Sequence, residues 1–267
     1  MILICFDIIM HNSLFCAFEY YPSSPENIGS GHLLVNTQMN PIDILNDPAS
    51  VVKFNRVHFG FEWGEKFRLI TLNHQSTVIV GMLQNINISI GASTMGDEIY
   101  KETLLGLTFG KIINGKLLLG TSFMMYHLKI KEYGQDTRLG MNLGWRIALE
   151  KNIIWFGALR NITGQTIGQT EESLPQIISS GIIYDFSENI KVIAEWEQDT
   201  LYKSRWKYGG QFAVMPWLKV FTGHASSPDQ FSTGFTIHFK NIKINYAFST
   251  HSFLDISHYM GLGIAFP

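Results

Sequence analysis

From Arg56 to the C-terminus the chain alternates apolar and polar residues with a period of two. Successive side chains of a strand point to opposite faces, so this period marks strands whose two faces meet different surroundings. In 56–63 one face is Val57, Phe59, Phe61 and Trp63, and the other is Arg56, His58, Gly60 and Glu62. In 138–149, Leu139, Met141, Leu143, Trp145, Ile147 and Leu149 alternate with Arg138, Gly140, Asn142, Gly144, Arg146 and Ala148. The longest later apolar runs are a few residues, such as Leu117–Leu119. A membrane helix needs roughly 20, so helical spans are excluded.

Two more clear strands follow at 231–239 and 242–249, the first showing Phe231, Phe235, Ile237 and Phe239 on one face against Ser232, Gly234, Thr236 and His238. Noisier alternation predicts strands at 66–73, 76–93 (one or two), 102–111, 115–131, 152–161, 176–185, 189–199, 204–214, 217–224 and 256–266. That makes fourteen or fifteen, and the preference of bacterial barrels for even counts selects fourteen. Short polar connections such as Asn114-Gly115 and Lys240-Asn241 alternate with long ones such as 163–174 and 251–255, the habit of a membrane barrel.

A soluble β-sandwich also alternates. Against it stands the polar face, rich in Gly, Ser, Thr and Asn, while only 16% of residues are charged. Apolar faces recur on nearly every strand, enough to coat a barrel exterior, and Trp63, Trp155, Trp206 and Trp217 lie near strand ends, where interfacial girdles belong. The reading is an all-β, transmembrane antiparallel barrel of about 14 strands in a bacterial outer membrane, spanning 55–267. Arg138, Arg146, Glu195, Glu197 and His238 fall on its lumen face, where substitutions are expected to cost less than on the lipid face.

Residues 1–17 read as a secretory signal with cleavage after Ala17, although Asp7 interrupts the apolar stretch and the first basic residue is Lys53; a buried N-terminal strand is the alternative. Both cysteines, Cys5 and Cys16, lie there, so a cleaved chain has no disulfide. Residues 18–54 hold Pro22, Pro25, Pro41 and Pro48, spacing that breaks strands. They read as a periplasmic lead-in or a plug in the barrel mouth.

At the other end Met260, Leu262, Ile264 and Phe266 form an apolar stripe ending in an aromatic, with Pro267 after it. This resembles the terminal strand signal that barrel-assembly machinery reads. Further short motifs resemble the PorV/PorQ family of outer-membrane barrels, related in fold to FadL-type transporters. They are Gly157 to Asn161, Leu174-Pro175-Gln176 with Gly181, Ala194 to Glu197, Arg205 to Ala213, Tyr246 to His251 with Leu254 and Ser257-His258, and Asn46 to Ala49. The resemblance is strongest over 152–266. It implies a fourteen-stranded barrel with outer-membrane lipid around it, and a non-enzymatic role in type IX-like secretion or surface docking, with secreted cargo or other secretion components as partners. The alternative it leaves open is a FadL-type channel for small hydrophobic molecules.

Little else carries chemistry. The nine histidines form no ligand-spaced cluster with Cys, Asp or Glu, so neither a metal nor another cofactor is expected. Glu195, Glu197 and Asp199 share a strand face; acid/base work is open to such a set, but a polar lumen lining explains it more simply. No G-x-S-x-G or phosphate loop is present, and no catalytic residue is assigned. A net charge of −2 gives no electrostatic case for nucleic acid.

Overall fold

The alternating strands close on themselves in the computed structural model, which describes residues 17–267 except 21, 36, 38 and 170. The signal reading for 1–17 falls, except for Ala17, outside the described residues. Seven strands form the first half of the wall: β1 (His58–Glu65), β2 (Asn73–Leu83), β3 (Ile86–Gly96), β4 (Tyr100–Ile113), β5 (Leu117–Ile130), β6 (Gly134–Glu150) and β7 (Ile153–Arg160). A loop follows, carrying the two-residue strands β8 (Thr166–Ile167) and β9 (Glu172–Ser173). The wall resumes with β10 (Ile177–Asp185), β11 (Ile190–Asp199), β12 (Arg205–Met215), β13 (Leu218–Ala225), β14 (Gln230–Phe239), β15 (Ile242–Ser249) and β16 (Ser257–Ala265). Each wall strand pairs antiparallel with its chain neighbours, and β1 pairs with β16 from His58↔Ala265 to Glu65↔His258. The barrel has fourteen strands, as the alternation predicts.

Two expectations change in detail. The segment 76–93 is a hairpin of two strands around Gln84-Asn85, both in the left-handed backbone region that tight hairpins require. The predicted strand at 66–73 is instead two 3-10 turns, Lys66–Arg68 and Ile70–Leu72, because Phe67 and Arg68 both take positive φ and cannot extend a ladder. The count of fourteen survives because one loss offsets one split.

Parity separates the faces. Ile79, Ile90, Phe123, Leu139 and Met260 point outward and exposed, while Ser76, Ser89, Ser122, Asn142, Ser232 and Thr236 point inward and buried. Trp155 and Trp217 lie toward the end with short connections, and Trp63 and Trp206 toward the end with long ones. A sheet satisfies every backbone group in lipid only when it closes on itself, and here the β1–β16 ladder is the closure.

The lumen is not open throughout. Residues of the 17–54 segment run inside the wall, where α1 (Pro25–Gly29) packs on β14 and β15, and the 3-10 turn Pro48–Lys53 packs on β4, β5 and β6. The prolines do more than break strands: Pro25, Pro41 and Pro48 each open a helical turn directly after a capping residue. Ser24, Asn40 and Asp47 accept from the backbone N–H of Asn27, Ile42 and Ala49 at 3.3, 3.1 and 3.1 Å. Proline at the first helical position loses only an N–H that would lack a partner anyway. Wall glycines make room, since a Cβ on Gly120 would lie 2.2 Å from the Pro48 carbonyl oxygen and one on Gly223 would lie 2.2 Å from the Ser30 carbonyl carbon.

This filling corrects the expected tolerance of lumen positions. Asn142 is fully buried and its Oδ1 accepts from the Asn161 N–H at 2.8 Å, so Asn142→Arg is no mild change. On the lipid face, Leu143→Arg is expected to cost about 2–4 kcal/mol near mid-membrane, whereas Leu143→Phe folds normally; urea titration in vesicles measures the difference. Deleting 262–267 removes half of the β1–β16 ladder, and the heat-modifiable gel shift of a closed barrel should disappear. A truncated chain that still shifts would contradict that closure.

Candidate functional site

The lumen is built from inward side chains of the wall and from the inner segment, and charge is what joins them. Arg146, on β6, is buried and donates through Nε to Asp47 Oδ2 at 3.1 Å; its Nη2 bonds the same oxygen and reaches Ser50 Oγ at 2.6 Å. One wall arginine therefore holds both the cap and the first turn of Pro48–Lys53. Glu195 and Glu197, two apart on β11, point the same way. Lys207 of β12 bridges them, at 3.1 Å to Glu195 Oε1 and 2.7 Å to Glu197 Oε2. Arg160 of β7 donates to Glu197 at 2.6 Å and to Asn46 Oδ1 at 3.0 Å, and the Leu34 N–H donates to Glu195 Oε2 at 2.6 Å. The carboxylates are thus ion-paired anchors for the inner segment at Leu34 and Asn46.

The other two sequence-predicted lumen residues lie apart from this network. Arg138, near the long-connection end of β6, pairs with Asp136 at 3.0 Å and donates to the Thr166 carbonyl at 2.7 Å, steadying the loop that carries β8 and β9. His238 sits at the opposite end on β14, across from Lys243. Met260, Leu262, Ile264 and Phe266 lie along β16 and its end, outside the lumen.

Sequence reasoning missed Asp47, Arg160 and Lys207. The last two had a legible signal, inward parity on their strands; Asp47 had only its place before Pro48. It also missed Glu62 and His74, fully buried on β1 and β2 with Nε2 2.7 Å from Oε1, and Tyr20, whose ring lies 4.1 Å from that of His74. Among the described residues no group of His, Cys, Asp and Glu could hold a metal ion.

Two cavities flank the inner segment. The larger, about 880 Å³, opens among the long connections and reaches down to Arg160, Glu197 and Lys207, with Ile28, Leu33 and Leu34 below. The smaller, about 430 Å³, lies at the short-turn end against Thr37, Met39 and Pro41 of the same segment. At the larger mouth, burial together with Arg205 and Lys207 pushes the His32 imidazole down to about 3, so the ring is neutral and shares a hydrogen bond of 2.8 Å with Ser249 Oγ. Burial also lowers the Lys66 ammonium below the usual lysine range, with the Glu19 carboxylate opposing it. The rim carries exposed apolar side chains, Leu69, Ile70, Leu201, Tyr202, Phe253 and Leu254, among the long connections.

No family model matches the sequence, and no curated protein matches it. Solved structures do share the fold. The toluene transporter TbuX of Ralstonia pickettii superposes with a TM-score of 0.72 at 12% identity, covering 94% of this chain and 100% of that one. The CymD monoaromatic hydrocarbon channel gives 0.68 at 11% identity, covering 94% and 99%. A FadL homologue of Pseudomonas aeruginosa gives 0.62 at 10% identity, covering 91% and 97%. The chain therefore shares the barrel fold of these proteins, and the likeness extends along nearly the whole chain.

The anchoring network has a measurable consequence. Breaking a buried ion pair on one side leaves an uncompensated charge, at a cost of roughly 3–5 kcal/mol, whereas replacing both partners by apolar groups costs far less. Asp47→Ala should therefore destabilise the folded barrel in chemical denaturation more than the double change Asp47→Ala with Arg146→Met. It should also expose the 17–54 segment to proteolysis. Equal stability of the two variants would show that the pair does not hold the segment.

Proposed function

We propose that this chain is an outer-membrane channel for small hydrophobic molecules, with the 17–54 segment as its plug and no chemistry of its own. The observation that carries the reading is the mouth cavity of about 880 Å³, whose lining includes the exposed Leu201, Tyr202 and Leu254 of the long connections. An apolar rim gathers molecules that water rejects, because contact removes apolar surface from solvent. The fold shared with TbuX and with CymD supports the same class of cargo. The ion-paired floor around Glu197 holds the plug and separates the mouth from the short-turn end, so passage requires movement of residues around Leu34 and Asn46.

The short-turn end faces the periplasm on this reading, since that is where barrels keep their brief connections. The stripe from Met260 to Phe266 is the surface that assembly machinery would read, and lipid is the partner of the outer wall. A secretion or cargo-docking role of the PorV/PorQ kind has no observation of its own in the fold or the cavities.

Expression in a Gram-negative host lacking its own hydrocarbon channel tests the reading. The protein should fractionate with outer membranes and raise uptake of a monoaromatic hydrocarbon such as toluene above the empty-vector rate. Leu201→Asp with Leu254→Asp, which wets the rim without touching the wall, should lower that gain while leaving the folded barrel intact. An outer-membrane barrel that folds and gives no added uptake would falsify the channel reading.

A further inference from the structure

On the outer face of β4 and β5 the apolar band gives way to cations at the long-connection end. Lys101 and Lys129, both exposed, stand directly opposite one another in the ladder. They share outward parity with Leu105, Leu107, Phe123 and Met125 of the same strands. Between the lysines and that band come Thr103 and His127, again opposite each other, and His127 Nδ1 shares a hydrogen bond of 2.8 Å with Thr137 Oγ1 of β6.

Like charges directly opposite across a ladder destabilise it, so the pair calls for a counter-charge. Among the described residues neither lysine has an ion-pair partner. Their neighbours across the flanking ladders are Gly96 of β3 and Gln135 of β6, both uncharged. Glu102 has the opposite parity and accepts inside the barrel from the Phe18 N–H and the Tyr100 hydroxyl. The remaining acids of this sector lie in the turns: Asp97 accepts from the N–H groups of Ile99 and Tyr100 at 2.8 and 3.1 Å, and Glu98 and Glu132 are exposed. Lys101 stands four residues from Leu105, about 13 Å along the strand. A lysine stem can lie along apolar surface while its ammonium group stays at headgroup level.

We infer that this face is a docking surface for a phosphorylated lipid of the outer leaflet, with the phosphate between Lys101 and Lys129 and the chains along Leu105, Leu107, Phe123 and Met125. A phosphate carries the charge that the two cations lack, and its several acceptors suit point-like ammonium groups approaching from adjacent strands. A second copy of this chain fits poorly, because a two-fold contact here would set the same lysines against each other. Tyr133, exposed in the turn after β5, adds the amphipathic ring that headgroup regions favour. The inference rests on the outer-membrane placement proposed above, which puts the long connections at the cell surface, and is independent of what the lumen conducts.

The test uses the full chain folded in zwitterionic detergent, with each variant checked by heat-modifiable migration. Diphosphoryl lipid A is titrated in mixed micelles, and bound lipid is counted by native mass spectrometry. Lys101→Gln and Lys129→Gln are each expected to weaken binding about fivefold, and the double variant about 25-fold. Lys111→Gln, outward on β4 at the short-turn end, should leave binding unchanged. The preference for lipid A over the same lipid stripped of phosphate should shrink as salt is raised. Equal binding of the two lipids, or a folded double variant that binds like the wild type, overturns the assignment. So does a wild-type dimer that the double variant loses, since the face would then belong to a second copy. If the double variant does not fold, the single variants decide by the same criterion. Loss of lipid A binding with toluene uptake intact leaves the channel reading standing, whereas recovery of the protein in soluble fractions refutes the outer-membrane placement and this inference with it.

Discussion

A length of irregular chain inside a membrane barrel can exist only if the wall supplies its hydrogen bonds, and the rest of this structure depends on that supply. At membrane depth no bulk water competes for backbone groups. Glu102 takes the N–H of Phe18, Ser232 that of Gly31 and Glu195 that of Leu34, while Asn87 donates to the carbonyl of Phe54. The partners come from β4, β14, β11 and β3, so the inner segment is tied around the whole circumference rather than to one side. Polar lumen residues that would merely line an open pore are here the binding surface for the protein's own N-terminal part.

The same principle explains how charge is distributed. Carboxylates and cations of the upper lumen are matched, and several of the matched groups also hold a point on the inner segment, as Arg160 does through Asn46 and Glu195 does through Leu34. A buried pair of this kind contributes little net stability compared with an apolar replacement, but it discriminates strongly against any arrangement that separates its members. Such pairs therefore specify where the segment sits. At the short-turn end the same holds for Lys243 of β15, which meets Glu26 of the inner segment at 2.9 Å. The ion-paired floor thus lies between the cavity among the long connections and the one at the short-turn end.

Glycine contributes in the wall through space rather than through turns. Gly120 and Gly144 face the chain at Pro48 and Ala49, and Gly209 and Gly223 face it at Ser30. Gly120, Gly144 and Gly209 each leave a dent on the inner face of a strand whose outer face still carries Leu119, Leu143 or Tyr208 to lipid. Small residues on one parity and large apolar ones on the other let a single strand meet both a close-packed polypeptide and a bilayer.

The fold class was legible in the sequence because its cause is local. A strand between lipid and lumen must alternate, and Leu139 to Leu149 against Arg138 to Ala148 does so without reference to any other part of the chain. Strand β16 was legible for the same reason. The failure at 66–73 is equally local in origin: apolar residues recur there, but the backbone at Phe67 and Arg68 bends to shape the mouth, and periodicity does not report φ. What only the tertiary structure decided is who meets whom. Asp47 and Arg146 are separated by 99 residues, and Leu34 and Glu195 by 161. No spacing rule links such pairs, because barrel closure sets their proximity and the path of an irregular segment sets their contact. The sequence alone therefore determined a membrane barrel with a polar interior; that inner chain packs against the wall and is anchored there by ion pairs followed from how the closed wall and that chain share a confined, water-poor space.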